Sequence, residues 1–288
     1  MKLQNQDIQI QISPELGAAL QQFTFKGQDI LRPTAANAKT PQDQSMFLMI
    51  PYCSYIKDGH FNYFGITWHI SPNQKKVPDP IHGDMWLNPC QIEQQSEDSV
   101  TLSYTHQKDT GFPFDYQAKV TYALDKNNLI ITLSIHNPSD CPIMPCGMGI
   151  HPYFLHAKTA QIQFKSSHVW HHQQDPIFDR PYPTPDEWNF EKGKKLNGIF
   201  DTAFGGWDGV ALITYPDEKL QIKISAQDIF HHLTLYTPLG TDLFCLEPIS
   251  NTPDAFNLAA YGVIGTGIQS VGAHQTLTKS ITFTCQTL

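Results

Sequence analysis

Apolar and polar residues alternate with a period of two along many short segments of this chain. The pattern is clearest over residues 8–12, 100–104, 116–122, 129–135 and 220–224. Such alternation is typical of strands that bury one face and expose the other. Turn-forming residues separate these segments, notably over 125–128 and 216–219. The pattern therefore predicts antiparallel β-strands joined by tight turns.

No stretch of ten or more residues has apolar residues at helical spacing, and the predicted strands do not alternate with helices. This arrangement excludes a Rossmann sheet and a TIM barrel. The 21 prolines and 18 glycines among 288 residues suit a β protein with many loops. We predict an all-β fold, either a sandwich or a barrel. Because no linker or internal repeat divides the sequence, we expect a single domain over residues 1–288.

Two segments have the composition of long loops, which often form the rim of a functional site. Residues 33–45 are small and polar. Residues 171–198 contain four prolines and the paired histidines His171 and His172.

The composition limits the range of partners. Hydrophobic residues make up 40% of the chain and charged residues 16%, which is sufficient to build a core. The net charge is −8, and Arg32 and Arg180 are the only arginines. Because nucleic acids and anionic membranes require a basic surface, we predict neither as a partner. No apolar run approaches the ~20 residues that span a bilayer.

The expected compartment follows from the start of the chain. The residues after Met1 contain no apolar signal core, so we expect a cytoplasmic protein. The six cysteines are scattered and should remain reduced thiols. No glycine-rich phosphate-binding loop is present. We expect no metal and no cofactor.

His82 is the first candidate for chemistry. It precedes Gly83, and Trp86 follows four residues later. Next to glycine, the backbone can adopt an unusual conformation and approach a ligand closely. The aromatic face of Trp86 suits the apolar C–H face of a sugar ring. The alternative interpretation is a turn with a buried tryptophan.

His151 is the second candidate. Two glycines and two prolines surround it within residues 144–154. Pro152 restricts His151 to an extended backbone, and an imidazole can hold or release a proton near neutral pH. The alternative is an ordinary proline-rich loop.

Glu247 is the third candidate. It follows the apolar run 243–246, which predicts a buried strand. A carboxylate at the end of such a strand is costly unless it is paired or used in chemistry. The alternative is a solvated glutamate at the edge of the strand.

The order of these segments resembles the aldose 1-epimerase (galactose mutarotase) family over most of the chain. The matching motifs are His82-Gly83, residues 149–154, Asp201 and Glu247-Pro248. The resemblance implies a galactose-mutarotase-like supersandwich, which is a large, twisted, antiparallel β-sandwich. It also implies a small-molecule monosaccharide as substrate, and we expect a monomer or a weak homodimer.

The resemblance also implies roles for individual residues. Glu247 matches the family's general base, and His151 matches its general acid. His82 matches a histidine that contacts the sugar near its ring oxygen. Asp201 matches a carboxylate that holds sugar hydroxyls, and Asp208 is a weaker candidate for that role.

One position departs from the family pattern. This chain has Tyr55 where the family usually carries an arginine. A tyrosine offers one hydroxyl and a ring instead of a fork of charged donors. The preference for galactose or glucose is therefore open, and either Tyr55 stacks on the sugar or a residue such as Lys57 reaches it instead.

The acid–base pair suits the interconversion of α and β anomers through the open aldehyde. Glu247 would take the proton of the C1 hydroxyl while protonated His151 gives one to the ring oxygen, and the two steps reverse on reclosure. Neither step needs a redox cofactor or a metal.

Three other interpretations stay open at this point. The first is a carbohydrate-binding protein without catalysis. The second is a hexose-6-phosphate 1-epimerase, although the chain offers few cations for a phosphate. The third uses His82, His151 and Glu247 as zinc ligands, because two imidazoles and a carboxylate suit that ion.

Overall fold

The computed structural model describes residues 1–75, 77–170 and 180–288, so His171 and His172 lie outside the described residues. Within these ranges the chain forms 24 strands and one α-helix. The strands, numbered in chain order, are β1 (Lys2–Gln4), β2 (Ile8–Ser13), β3 (Ala19–Phe25), β4 (Gln28–Asp29), β5 (Met46–Met49), β6 (His60–Tyr63), β7 (Ile66–His69), β8 (Gln91–Gln95), β9 (Ser99–His106), β10 (Tyr116–Asp125), β11 (Asn128–His136), β12 (Ile143–Cys146), β13 (Gly149–Leu155), β14 (Gln161–Phe164), β15 (His168–Trp170), β16 (Tyr182–Pro183), β17 (Lys194–Lys195), β18 (Asp201–Gly205), β19 (Val210–Tyr215), β20 (Leu220–Ala226), β21 (His232–Tyr236), β22 (Leu243–Ile249), β23 (Gln269–Gly272) and β24 (Thr276–Thr287).

Most strands belong to two large antiparallel sheets. The first sheet has 11 strands in the order β1-β2-β3-β5-β13-β22-β21-β18-β15-β16, with β4 beside β3. The second has nine strands in the order β17-β14-β19-β20-β24-β11-β10-β9-β8. Two small ribbons pair β12 with β23 and β6 with β7. The predicted all-β antiparallel fold is confirmed, and of the two architectures considered it is the sandwich.

The alternating segments of the sequence are strands whose apolar faces meet between the sheets. Buried and more exposed residues alternate along β10 and β11, and the predicted turn 125–128 joins these two strands. The turn 216–219 likewise joins β19 to β20. Phe23 of the first sheet meets Phe283 of the second with ring centroids 5.9 Å apart. Burial of this apolar surface, at ~25 cal/mol per Å², is the main force that holds the sheets together.

Helical structure is sparse in the described residues. The α-helix, α1, spans Ala255–Ala260. Short 3-10 helices occur at Pro41–Asp43, Lys57–Gly59, Met85–Leu87 and Asp186–Trp188. In the described ranges, no helix has the length and apolar character needed to cross a bilayer.

The two predicted loops are largely irregular where they are described. Residues 33–45 contain one 3-10 helix and otherwise no regular element. The described part of the second loop, 180–198, contains the two-residue strands β16 and β17 and a 3-10 helix.

The centre of the first sheet is buried on both faces. All four residues of β5 are buried, and so are six of the seven residues in each of β13 and β22. Strands buried on both faces lack the polar–apolar alternation of the outer strands. One face of these strands packs on the core, and the opposite face forms the floor of a cavity.

Candidate active site

The register of β13 and β22 brings His151 and Glu247 together. Two register pairs flank them: Gly149 with Ile249, and Tyr153 with Cys245. Counting inward from both pairs places His151 directly opposite Glu247 in the antiparallel ladder. Since side chains alternate between faces, His151 and Glu247 project from the same face of the sheet.

Further cross-strand neighbours lie in line with His151 and Glu247 on the adjacent strands. Phe47 of β5 pairs with His151, and Thr234 of β21 pairs with Glu247. Thr234 pairs in turn with Ala203 of β18. These side chains form the floor of a cavity of about 390 Å³, which is within the range of small-molecule sites.

The predicted residues mostly converge on this cavity. Five of the six line it: His82, Trp86, His151, Asp201 and Glu247. They come from four separate parts of the chain, namely the segment before β8, strand β13, the start of β18 and strand β22.

His151 and Glu247 lie close together and almost out of contact with solvent. Nε2 of His151 is 3.2 Å from Oε1 of Glu247, and the two side chains are 9% and 5% exposed. Burial raises the pKa of Glu247 well above 4.5, and the charge of Asp201 raises it further. Burial lowers the pKa of His151 well below 6.5, and the nearby His82 contributes in the same direction.

These shifts mean that the pair resists any net charge. Adding a second proton would create a buried cation, and removing the last one would leave a buried anion beside Asp201. Both changes are costly in a medium of low dielectric constant. Over a wide range of pH the pair therefore holds one titratable proton more than its fully deprotonated form. That proton is shared by the pair and cannot be assigned to either residue alone.

Two prolines lie beside this pair in the middle of the sheet. Pro152 follows His151 in β13, and Pro248 follows Glu247 in β22. The extended backbone predicted for His151 is confirmed, and the segment is a strand rather than a loop. The prediction that Glu247 ends its strand is wrong, because β22 continues to Ile249.

His82 adopts the unusual backbone conformation that its position before glycine indicated. Its φ is +62°, and that of Gly83 is +71°. A side chain at Gly83 would also collide with the backbone, because an added Cβ would lie 2.3 Å from the carbonyl oxygen of Ile50. Only glycine fits there.

The hydrogen bonding of His82 determines its tautomer. Nδ1 of His82 accepts a hydrogen bond of 3.1 Å from the backbone N–H of Ser54. Burial lowers the pKa of His82 to about 3, so the ring is neutral and carries its proton on Nε2. His82 is therefore a neutral hydrogen-bond donor at the cavity.

Trp86 and Phe47 form an aromatic wall. Their rings stack with centroids 4.9 Å apart, and Phe47 also stacks on His151 at 4.4 Å. Nε1 of Trp86 donates to the carbonyl oxygen of Gly83 at 2.9 Å. Trp86 is only 1% exposed, so it offers the cavity a small part of its surface.

Asp201 carries the second carboxyl group at the cavity. Asp201 pairs with Tyr236 across β18 and β21. Tyr236 lies two residues from Thr234, the cross-strand partner of Glu247, so Asp201 and Glu247 share one face of the sheet. Burial raises the pKa of Asp201 to about 6. Above that pH its carboxylate can accept hydrogen bonds from sugar hydroxyls.

Tyr55 occupies a different position from these five residues. It is half-buried, bridges to Ile81 through the backbone, and is not among the residues that line the cavity. Burial raises its pKa, and the negative charges of Asp254, Asp79 and Asp201 add to the effect. Tyr55 thus lies close enough to Asp201 to sense its charge.

The two weaker candidates are exposed. Lys57 begins a 3-10 helix, and its backbone N–H donates to Asp254. Asp208 accepts a hydrogen bond from the N–H of Val210 in a turn before β19. Neither lines the cavity.

Several residues of the cavity were not predicted from the sequence. Those with polar or aromatic side chains include Gln42, Phe47, Gln74, Tyr153, Thr234 and Tyr236. A signal existed for Tyr153, which follows His151 by two positions and so shares its face. Gln42 lies within the predicted loop 33–45, in the 3-10 helix Pro41–Asp43, but nothing singled it out as an individual residue. Phe47 lies in a strand without alternation and Gln74 lies outside the regular strands, so no pattern identified them.

The same pair of residues belongs to the one metal-binding arrangement found in the described ranges. Ligand atoms of His151, Cys245 and Glu247 lie within 4.8 Å of one another. This set differs from the zinc set considered from the sequence, because Cys245 takes the place of His82. Burial and the charge of Glu247 raise the pKa of the Cys245 thiol, which opposes the thiolate that a metal requires.

Comparison with known proteins identifies a single family. The family model for aldose 1-epimerase matches residues 1–282. The uncharacterized protein YphB of Escherichia coli K12 is 26% identical over 258 residues, which is 83% of each chain. The uncharacterized protein YihR of the same organism is 25% identical over 257 residues, or 84% of this chain and 81% of YihR.

Solved structures share the fold. A protein of Escherichia coli K12, provisionally named an aldose 1-epimerase, matches with a TM-score of 0.90 and 24% identity, over 100% of this chain and 98% of that one. A galactose mutarotase-like protein from Clostridium acetobutylicum matches with a TM-score of 0.87 and 17% identity, over 100% and 95%. The supersandwich implied by the sequence resemblance is confirmed.

Proposed function

This chain belongs to the aldose 1-epimerase family, and from that premise we propose that it interconverts the α and β anomers of a free hexose or a related sugar. The observation that carries the proposal is the 3.2 Å approach of His151 Nε2 to Glu247 Oε1 on the floor of a cavity. Titratable groups with strongly shifted pKa values in a cleft are typical of acid–base sites.

The proposed reaction opens and recloses the sugar ring. Glu247 accepts the proton of the C1 hydroxyl while His151 donates a proton to the ring oxygen. The bond from C1 to the ring oxygen breaks, its electron pair stays on that oxygen, and the C1 hydroxyl oxygen becomes a carbonyl. After rotation about C1–C2, the ring oxygen attacks the other face of the aldehyde, and each residue reverses its step.

The number of protons on the pair supports this mechanism. The pair can exist in two forms with the same number of protons. In one form a glutamic acid lies beside a neutral histidine, and in the other a carboxylate lies beside an imidazolium. Burial favours the neutral form in the protein alone, and hydroxyl groups that donate to Glu247 favour the ionic form in the complex. A full cycle requires no proton from solvent.

Other lining residues supply contacts that suit a sugar. His82 offers a neutral N–H to an oxygen near the anomeric centre, and Asp201 offers a carboxylate to hydroxyls. Phe47 and Trp86 provide an apolar surface for C–H groups. For Tyr55 we propose a contact at the edge of the sugar, because it lies near Asp201 without lining the cavity.

The charges in the cavity favour an uncharged substrate. Glu247 and Asp201 both direct carboxyl groups into it, and each raises the cost of a further negative charge. We therefore propose a free sugar rather than a hexose 6-phosphate as the preferred substrate.

Polarimetry of freshly dissolved α-anomers tests the proposed activity. We expect the protein to accelerate the exchange of at least one free aldose above the spontaneous rate, and to act less well on the matching 6-phosphate. A protein that binds the sugar and leaves the rate unchanged would instead be a binding protein, and preference for the phosphate would support the hexose-6-phosphate epimerase.

We also propose that residues 1–288 form one domain that acts as a monomer or a weak homodimer. One cooperative unfolding transition and a monomeric mass at low concentration are the expected results. Two separate transitions would contradict the single domain.

A further inference from the structure

Asp84 lies in the segment that carries His82 and Trp86, and it reaches the second sheet. Its Oδ2 accepts hydrogen bonds from the Tyr104 hydroxyl at 2.6 Å and from His106 Nδ1 at 2.7 Å. Its Oδ1 accepts a third hydrogen bond, from the hydroxyl of Tyr116. One carboxylate therefore ties the cavity segment to β9 and β10.

His106 is an imidazolium in this network. Its Nε2 lies 2.9 Å from the carbonyl oxygen of Phe112, which can only accept a hydrogen bond, so Nε2 carries a proton. Its Nδ1 faces the carboxylate of Asp84, which already accepts from two tyrosines, so Nδ1 carries a proton as well. Burial opposes the charge, but the hydrogen bonds to Asp84 and Phe112 and the charges of Asp84 and Asp109 together outweigh it and raise the pKa of His106 above 6.5.

Two further neighbours of His106 favour its positive charge. The carboxylate of Asp109 lies 3.8 Å from Nε2, and the ring of Tyr116 stacks on the imidazole at 5.0 Å. Asp84 and His106 are 14% and 3% exposed in their side chains. This is a buried, charge-assisted pair, and it belongs to the stronger class of hydrogen bonds.

Stability alone does not explain such a pair. Removing two charges from water costs several kcal/mol per ion, and apolar replacements of similar volume are often neutral or stabilising. A buried ion pair is therefore better explained by a requirement for one particular geometry, and the nearest geometry that needs support is that of His82.

His82 has a backbone conformation that is unfavourable for a residue with a Cβ. Its φ of +62° persists only if the surrounding contacts hold it. Asp84 fixes the chain two residues after His82, and Asn73 fixes it through hydrogen bonds of 2.7 Å to the carbonyl oxygens of Ile81 and Gly83.

We propose that Asp84 and His106, with Tyr104 and Tyr116, form a positioning network that holds the His82 ring and Trp86 at the cavity. The functional benefit of this network rests on the proposed mutarotation. None of these four residues lines the cavity, and they act through the segment that carries His82.

The first test reads the His82 ring directly and needs no activity. Nitrogen-15 spectra of the wild type should show His82 as a single neutral tautomer with its proton on Nε2. In Asp84→Asn and in His106→Gln we expect averaged signals from both tautomers. Asp140→Asn is the control, because it removes the charge from an exposed contact of 3.0 Å with His274, and it should leave the signal unchanged.

The second test uses the kinetics of anomer exchange. We expect Asp84→Asn to raise KM roughly tenfold, the size of effect that accompanies loss of a well-placed hydrogen bond. Adding Asp84→Asn to His82→Ala should raise KM by much less than tenfold, because the contact of His82 is already lost and only the position of Trp86 can still be disturbed. A merely structural role would make the two effects additive.

The outcomes separate this inference from the proposed function. If Asp84→Asn folds and keeps the single His82 tautomer, the positioning network is wrong whatever the activity. If the tautomer changes and the wild type exchanges no anomers, the network stands and the proposed function fails. Should Asp84→Asn not fold, Tyr116→Phe removes one donor only, and an unchanged His82 signal in that variant would overturn the proposal.

Discussion

Nε2 of His151 lies 3.2 Å from Oε1 of Glu247, although the two residues are far apart in the chain. The register of β13 and β22 makes them cross-strand neighbours, and both face a cavity bordered by His82 and Asp201. Because burial disfavours a net charge on the pair, it holds one proton, which is what an exchange of anomers requires.

The activity should have a bell-shaped dependence on pH. Its acid and alkaline limbs report the gain and the loss of a proton by the His151–Glu247 pair as a whole. A second proton would make the buried pair cationic, so the acid limb should lie below 6.5, the ordinary pKa of histidine. Loss of the last proton would make it anionic, so the alkaline limb should lie well above 4.5. The dependence of kcat on pH measures both limbs, and a flat profile from acid to strongly alkaline pH would contradict the acid role of His151.

Asp201 should control the dependence of KM on pH. Because burial raises its pKa to about 6, the carboxylate that accepts sugar hydroxyls is lost as the pH falls below 6. We expect KM to rise below that pH, and we expect Asp201→Asn to have a high KM that no longer changes there. Measurements of KM from pH 5 to 8 test this, and an unchanged KM profile in Asp201→Asn would assign the titration to another group.

Glu247 should reduce the stability of the protein at neutral pH. Its pKa is higher in the folded state than in the unfolded chain, so the unfolded chain releases the proton first as the pH rises from 4.5. The free energy of unfolding then falls with pH until the folded pKa is passed, by at most ~1.4 kcal/mol per pH unit.

Comparison of Glu247→Gln with the wild type between pH 7 and 8.5 measures this effect. In that range His151, whose pKa is lowered, is neutral in the folded state and mostly neutral in the unfolded chain, and Asp201 is ionised in both. The raised pKa of His106 contributes to the slope of every protein compared, so it cancels in the comparison. We expect Glu247→Gln to be more stable and to show a smaller slope. Glu97→Gln, at an exposed position, is the control, and equal slopes in all three proteins would contradict the account.

Chelation should leave anomer exchange unchanged. The proposed reaction uses the lone pairs of His151 and Glu247 for protons, and a metal held by these residues with Cys245 would compete for them. We therefore expect full activity after dialysis against a chelator and inhibition by added Zn²⁺ that Cys245→Ser weakens. Loss of activity on chelation, restored by Zn²⁺, would support the metal site instead.

The sequence predicted the outer strands well because their two faces differ. β10 and β11 each bury one face between the sheets and leave the other more accessible to solvent, and their polar–apolar alternation follows from this difference. The central strands are buried on both faces, so no alternation marked β5, and Phe47 was not predicted. For the same reason the prediction that Glu247 ends its strand was wrong.

The sequence could identify the members of the site more readily than their arrangement. Unusual local contexts singled out His82, His151 and Glu247, but the approach of His151 to Glu247 depends on strand register, which is a property of the whole sheet. Gln42 and Gln74 lie in loops whose positions follow from tertiary contacts. Asp84 was not predicted because its partners lie far along the chain, on strands β9 and β10 of the second sheet: Tyr104, His106 and Tyr116.

The turnover of two variants tests the central claim most directly. Glu247→Gln and His151→Ala should each lower kcat for anomer exchange at least a hundredfold, since each removes one proton-transfer group worth ~10²- to 10⁴-fold, while the unfolding transition shows that the fold survives. Glu97→Gln and His136→Ala are matched controls away from the cavity and should keep the wild-type rate. Near-normal turnover in a folded Glu247→Gln or His151→Ala would contradict the proposal that these two residues exchange protons with the sugar.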